Sequence, residues 1–231
     1  MLSKFVAFGL SVVITATASA GSGTFSLDGD AEVVSGGKKK QSVVLLESDL
    51  TETDQFGAIE WTPRVRGKNV LTLDELQTLS ATYQVVAGGI GGGSPRFQIS
   101  LDTNGDGQAD GNVFVYIGDP PNFTSGTTGL VSTGNLLGDD DLRFDATQVG
   151  GTFYMTFDEV LDLVGDAQVL GVDFVVDGGW MFTNGQAVVV TQLQINGDKL
   201  NAKQVKAHKK GHGHDDEDDD HGRGHGRRHD D

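Results

Sequence analysis

Apolar residues in this chain recur at every second position or in short runs, and glycine and polar residues separate these segments. Alternation with period two is typical of strands with one buried face, and short β-branched runs are typical of buried strands. The strongest segments are residues 24–27, 31–34, 42–46, 56–61, 81–87, 96–101, 112–117, 151–154, 169–176 and 187–195. Turn signals recur roughly every 8–12 residues, which is typical of a β-sandwich. The pattern therefore predicts an all-β protein with two packed sheets.

Two segments depart from the strand pattern. Thr72 and Thr156 are each followed three residues later by a glutamate, which is the spacing of a capping box at the start of a helix. Beyond Thr156, the apolar residues of 157–164 repeat with helical spacing. We therefore expect a β-sandwich with one or two short helices.

The first 20 residues have the three parts of a signal peptide. Lys4 precedes an apolar run over 5–14, and Ala18-Ser19-Ala20 is a small-residue cleavage site. The alternative, an uncleaved anchor helix, would need about 20 apolar residues, which favours cleavage near Ala20. We expect a secreted or extracellular protein with no membrane insertion, because no later segment is long and apolar enough to span a bilayer.

Composition divides the rest of the chain into a domain over 21–202 and a tail over 203–231. The tail has almost no apolar residues, so we expect it to be disordered. It contains every histidine of the chain: His208, His212, His214, His221, His225 and His229. Neutral imidazole binds zinc, nickel or copper, so the tail is either a metal-binding segment or a soluble low-complexity segment.

The domain is strongly acidic. Residues 21–202 contain 25 Asp and Glu against 9 Lys and Arg, so the net charge of −16 repels nucleic acid and favours cations as partners. Acidity for solubility alone is the alternative. The domain has no cysteine and no histidine, which excludes Ser-His-Asp, Cys-His and His-ligated metal chemistry there. Carboxylate chemistry, chiefly glycoside cleavage, remains open.

A loop between the segments 96–101 and 112–117 resembles a calcium-binding sequence. Asp102, Asn104 and Asp106 occupy alternate positions before a glycine, and Asp110 takes the ninth place. Counted from Asp102 as the first position of the EF-hand loop, the twelfth position is Val113 rather than glutamate. Strands rather than helices flank the loop, so it is not an EF-hand. The loop is either a weak calcium site or a β-hairpin with glycine-containing turns.

Several late segments carry a resemblance to known proteins. GGGSPRFQISLD at 91–102, VYIG at 115–118, TGNLL at 133–137, VLGVDFVVDGGW at 169–180 and QAVVVTQLQING at 186–197 resemble secreted microbial proteins of uncharacterised function. Their late strands are similar to those of jelly-roll, carbohydrate-binding-type modules. The resemblance covers most of 70–197 and implies a jelly-roll-like sandwich. The chain departs from these modules in the final strand, where residues 191–194 (TQLQ) replace an Asp-Asn pair, so the resemblance does not imply a site built on that pair.

Sugar binding would need exposed aromatic rings, and the candidates are Trp61, Trp180, Tyr83, Tyr116 and Tyr154. Trp180 lies in a glycine-rich turn that could display it, although packing into the sandwich is the favoured outcome. We select Trp180 and Tyr116 as ligand candidates. The leading hypothesis is a secreted, non-enzymatic, calcium-stabilised sandwich that binds an extracellular glycan or matrix component. The alternatives are a carboxylate-dependent glycan-active enzyme and a metal-handling protein that acts through its histidine tail.

Overall fold

The computed structural model describes residues 22–36, 41–49, 55–65, 67 and 69–207. Two sheets pack face to face, so the predicted β-sandwich is confirmed. The strands are β1 (Gly23–Gly29), β2 (Ala31–Gly36), β3 (Gln41–Ser48), β4 (Gly57–Pro63), β5 (Leu79–Ala87), β6 (Arg96–Asp102), β7 (Gly111–Tyr116), β8 (Val131–Ser132), β9 (Phe144–Asp145), β10 (Gln168–Val176), β11 (Gln186–Ile195), β12 (Asp198–Lys199) and β13 (Lys206–Ala207).

The first sheet has the strand order β13-β1-β4-β10-β6-β7-β9, and the second has the order β2-β3-β11-β5-β8, with β12 paired to β11. All neighbouring strands are antiparallel except β1 and β13. The chain passes between the sheets after β1, β3, β4, β5, β7, β8, β10 and β12, as in jelly-roll-like sandwiches.

The core lies between the two inner sheet faces. On β6, Phe97, Ile99 and Leu101 are fully buried and alternate with outward polar residues, which is the period that the sequence predicts. Phe97 meets Phe174 of β10 edge-on, with ring centroids 5.1 Å apart. Tyr83 reaches Phe174 from the second sheet at 6.4 Å, so aromatic contacts connect the layers.

One α-helix, α1 (Phe157–Val164), forms where the capping box predicts it. The Thr156 hydroxyl accepts from the N–H of Glu159, and the Glu159 carboxylate accepts from the N–H of Thr156 at 2.8 Å. The same spacing at Thr72 gives only a three-residue 3-10 turn, Leu73–Glu75. Within the described residues, no helix has the length and apolar character needed to cross a membrane.

The predicted strand over 151–154 is wrong. Gly150 and Tyr154 have positive φ angles of 91° and 61°, and an extended strand cannot contain such angles. Only the following residue, Met155, forms a bridge, with Phe144 of β9.

The described chain continues past the predicted boundary at 202. Ala202 and Val205 pack against the core, and β13 pairs with Ser26 and Leu27 of β1 at the edge of the first sheet. The domain therefore extends at least to Ala207. The predicted signal peptide and the six tail histidines lie outside the described residues.

We expect a chain that ends after Asn201 to be less stable than one that ends after Ala207. The shorter chain loses the packing of Ala202 and Val205 and the edge strand β13, which we estimate at roughly 1–2 kcal/mol. Thermal unfolding should show a melting temperature about 2–8 °C lower. The chain ending after Ala207 is the matched control, and equal melting temperatures for the two chains would contradict this account.

Candidate functional site

The predicted site residues are divided between opposite ends of the sandwich. Strands β6 and β10 are antiparallel, and Asp102 pairs with Gln168 at one end whereas Arg96 pairs with Val175 at the other. The loop 103–110 therefore lies at the first end. We call the opposite end, which carries Tyr116, Phe123, Tyr154 and Trp180 with the glycine loop 88–93, the aromatic end.

Asp102 organises the predicted calcium loop through hydrogen bonds from the backbone. Its side chain is buried, and its carboxylate accepts from the N–H groups of Asn104 at 3.1 Å, Gly105 at 2.6 Å and Gly107 at 2.7 Å. The hydrogen bond from Gly107 is the main cause that lowers the pKa of Asp102, and burial opposes it. Asp102 thus holds the loop closed as a carboxylate.

The other three predicted calcium ligands also form hydrogen bonds within the loop. Asp110 accepts from the N–H of Thr103 at 2.7 Å and from the Asn104 amide at 2.9 Å, and Asn104 Oδ1 accepts from the N–H of Asp106. Within the part of the chain that the structure describes, no group of three or more Asp, Glu or His side chains is placed to hold a metal ion. The hairpin interpretation accounts for these bonds, and calcium binding stays a prediction.

The aromatic end contains a pocket of about 240 Å³ that three aromatic rings help to form. Phe123 and Tyr154 are stacked, with centroids 6.2 Å apart and an interplanar angle of 19°, and Tyr116 lies 5.9 Å from Phe123. The lining consists of Ile90, Gly92, Gly93, Pro95, Tyr116, Ile117, Asn122, Phe123, Thr124 and Tyr154.

Two of these aromatic residues have strained backbones. Phe123 has a φ of 50° and Tyr154 a φ of 61°, in the left-handed region that bulky side chains rarely adopt. Such strain costs of order 1–3 kcal/mol per residue and is concentrated at functional sites in proteins. The sequence analysis missed Phe123, because an aromatic residue at positive φ leaves no signal in the sequence.

A buried arginine fixes one side of the pocket. Arg143 is 4% exposed, and it forms ion pairs with Asp139 at 2.9 Å and Asp141 at 2.6 Å. Its Nη1 donates to the carbonyl oxygen of Tyr116 at 2.6 Å, and its guanidinium lies 5.4 Å from the centre of the Phe123 ring. The cation therefore connects the strand that carries Tyr116 to the loop that carries Phe123.

A buried glutamine fixes the other side. Gln186 is 2% exposed, and its Nε2 donates to the carbonyl oxygens of Gly89 at 2.6 Å and Ser94 at 3.1 Å. Its Oε1 accepts from the Ser94 hydroxyl at 2.7 Å and from the N–H of Gly178 at 3.0 Å. One amide thus attaches both the glycine loop and the loop of Trp180 to β11.

Trp180 is displayed rather than packed, so the favoured sequence-based outcome is wrong. Trp180 is 53% exposed, and it lies in the short 3-10 turn Gly179–Met181 that connects β10 to β11. Gly92 lies directly behind it: a Cβ there would be 3.4 Å from Trp180 Cζ2 and would overlap the Met181 sulfur. With a φ of 61° as well, position 92 requires glycine.

Tyr116 is partly buried at the pocket, where its hydroxyl donates to Asp145 at 3.0 Å. Burial first, and then the Asp145 charge, raise the pKa of Tyr116. Trp61 and Tyr83 are fully buried in the core and are unavailable to a ligand.

The outer face of the first sheet carries a pair of carboxylates that the sequence analysis missed. Asp173 of β10 lies directly opposite Glu60 of β4, in a groove of about 490 Å³ that Asp28 and Arg96 also line. Burial, followed by the charges of Glu60 and Asp28, raises the pKa of Asp173 to about 7. The pair depends on strand register, which the sequence pattern does not define.

We expect Asp173→Asn to stabilise the protein at pH 8 and to have little effect at pH 4. The folded-state pKa of Asp173 lies above the unfolded value near 4, so its protonated form contributes stability below pH 4 that is lost as the pH rises through 7. Thermal unfolding at pH 8 should show a gain of roughly 1–3 kcal/mol. Asp162→Asn on α1 is the control, and an equal gain at both pH values would contradict the assignment.

Comparisons of the chain with protein-family models, with curated proteins and with solved structures find no match.

Proposed function

We propose that this chain is an exported, non-enzymatic β-sandwich that binds an extracellular glycan or matrix component at its aromatic end. The observation that carries the proposal is the stacked pair of Phe123 and Tyr154, held at positive φ beside Tyr116. Phe123 is buried behind the ring of Tyr154, which is 52% exposed. An exposed tyrosine ring stacks against the apolar face of a sugar ring, and its hydroxyl adds a polar group. Tyr154 is strained and 52% exposed, so its ring contributes little to the core, and a binding role explains why the strain is kept.

The way the site is held supports binding. The ion pairs of Arg143 and the hydrogen bonds of Gln186 fix the surrounding loops before a ligand arrives, so less conformational entropy is lost on association. The pocket of about 240 Å³ is smaller than most drug-sized sites, which suits one sugar ring of a longer chain. Trp180, on the other side of Gly92, offers a second ring to the same chain.

We expect Tyr154→Ala and Trp180→Ala each to weaken binding to the retained polysaccharide about 5- to 30-fold, as loss of an exposed aromatic anchor does at other interfaces. The measurement is a pull-down with insoluble cellulose, chitin, xylan and β-glucan. Val65→Ala is the matched control, because Val65 is 54% exposed at the opposite end. Retention of wild type on none of these polymers, or wild-type binding by both variants, would contradict the proposal.

A carboxylate-dependent glycan-active enzyme is the second candidate, and the facing pair of Glu60 and Asp173 favours it. Residues directly opposite in antiparallel strands have Cβ atoms about 5 Å apart, so their carboxyl groups can adopt the separation of about 5–5.5 Å found in retaining glycosidases. A carboxyl group with a pKa of about 7 suits a general acid. Release of reducing sugar by wild type but not by Asp173→Asn would replace the non-enzymatic proposal with this one.

Calcium binding by the loop 102–110 is the second part of the proposal. The spacing of Asp102, Asn104 and Asp106 supports it, because it matches the first half of the calcium-binding loop pattern. A site with a dissociation constant near 10⁻⁴ M would add about 1.4 kcal/mol at millimolar calcium.

We expect 1 mM calcium to raise the melting temperature by about 3–6 °C over that in chelator. Asp106→Ala should abolish this shift and leave the fold intact, because the Asp106 carboxylate accepts only from the nearby N–H of Gln108. Identical melting curves of wild type in calcium and in chelator would exclude a stabilising site.

A further inference from the structure

The distribution of charge around the aromatic end restricts the class of ligand. Residues 69–198 include 17 Asp and Glu but only two cationic side chains, Arg96 and Arg143. Both are already paired: Arg96 forms two hydrogen bonds of 2.7 Å with Asp177, and Arg143 pairs with Asp139 and Asp141. Neither arginine can bind an anionic ligand without breaking an existing ion pair.

Acidic groups lie close to the pocket itself. Asp145 is 3% exposed and accepts from the Tyr116 hydroxyl, and exposed Asp119 belongs to the loop that carries Phe123. The field of these groups reaches the neighbouring tyrosines. After burial, the Asp119 charge is the main contribution that raises the pKa of Tyr83 to about 12. Around the pocket, within residues 69–198, the carboxylates of Asp139, Asp141 and Asp145 therefore outnumber the single cation Arg143.

Building on the proposed glycan-binding function, we propose that the aromatic end excludes glycans with carboxylate or sulfate groups and prefers glycans with free amino groups. A uronate would be brought next to Asp119 and Asp145, and residues 69–198 offer no unpaired cation to neutralise it. A protonated amino sugar would instead be attracted by the same carboxylates while its ring stacks on Tyr154. A neutral sugar keeps the stacking and lacks the attraction.

The test compares three probes of equal length at pH 6, where amino groups are protonated. These are the hexamers of glucosamine and of N-acetylglucosamine and a hexasaccharide of hyaluronan, titrated against the full chain at 20 mM and 500 mM salt. We expect the glucosamine hexamer to bind about 5- to 30-fold more tightly than the N-acetylated hexamer at low salt, with the difference lost at high salt. The hyaluronan probe should not bind.

Two variants separate the pocket from the general acidity of the chain. Tyr154→Ala should weaken binding of the glucosamine hexamer about 5- to 30-fold, and Asp119→Asn should reduce its preference over the N-acetylated hexamer about 2- to 3-fold. Asp162→Asn, an exposed acid on α1, is the matched control. Glucosamine binding that Tyr154→Ala does not change would show attraction to the surface at large and would overturn the inference.

The remaining outcomes are distinguishable from failure of the proposed function. Hyaluronan binding equal to that of the neutral hexamer would overturn the inference while the glycan function stands. Absence of binding by all three probes would also overturn the inferred preference for amino sugars. Failure of the proposed function would instead appear in the pull-down, as the absence of any retained polysaccharide.

Discussion

The hydrogen bonds of one buried amide hold together the end of the molecule on which the proposed function depends. Gln186 begins β11, the central strand of the second sheet, and its side chain satisfies groups of the glycine loop and of the loop before Trp180. Its burial would be costly without these partners, so the amide and both loops stabilise one arrangement. Arg143 does the same for the loop of Phe123. Surface loops are thereby attached to rigid strands, and the aromatic rings keep their positions without a ligand.

The two ends of the sandwich use their polar groups in different ways. At the loop 102–110, the carboxylate of Asp102 is occupied by backbone N–H groups and serves first to close a turn. At the aromatic end, the buried polar groups are satisfied below the surface, and apolar rings are left exposed above it. The second arrangement is typical of a binding surface, because exposed aromatic clusters gain most when a ligand covers them. The loop 102–110 fits a stabilising role.

Local sequence signals predicted the architecture well. Alternation identified most strands, and the capping box at Thr156 placed the helix. The site depended on information that is not local. The display of Trp180 follows from the loop contacts of Gln186, and the facing of Glu60 and Asp173 follows from strand register. The contact of Phe123 with the buried cation of Arg143 joins two segments that no sequence pattern links. The strand predicted over 151–154 was wrong because the apolar content of this segment resembles that of a strand, whereas the positive φ of Tyr154 turns the chain.

The most direct test of the central claim is a map of backbone amide chemical shifts as the retained oligosaccharide is added. A preformed site at the aromatic end predicts changes concentrated at residues 90–95, 116–124, 153–155 and 180–181, with the rest of the strands and the loop 102–110 unaffected. Changes centred on Glu60 and Asp173, or spread over the whole sheet, would contradict the account.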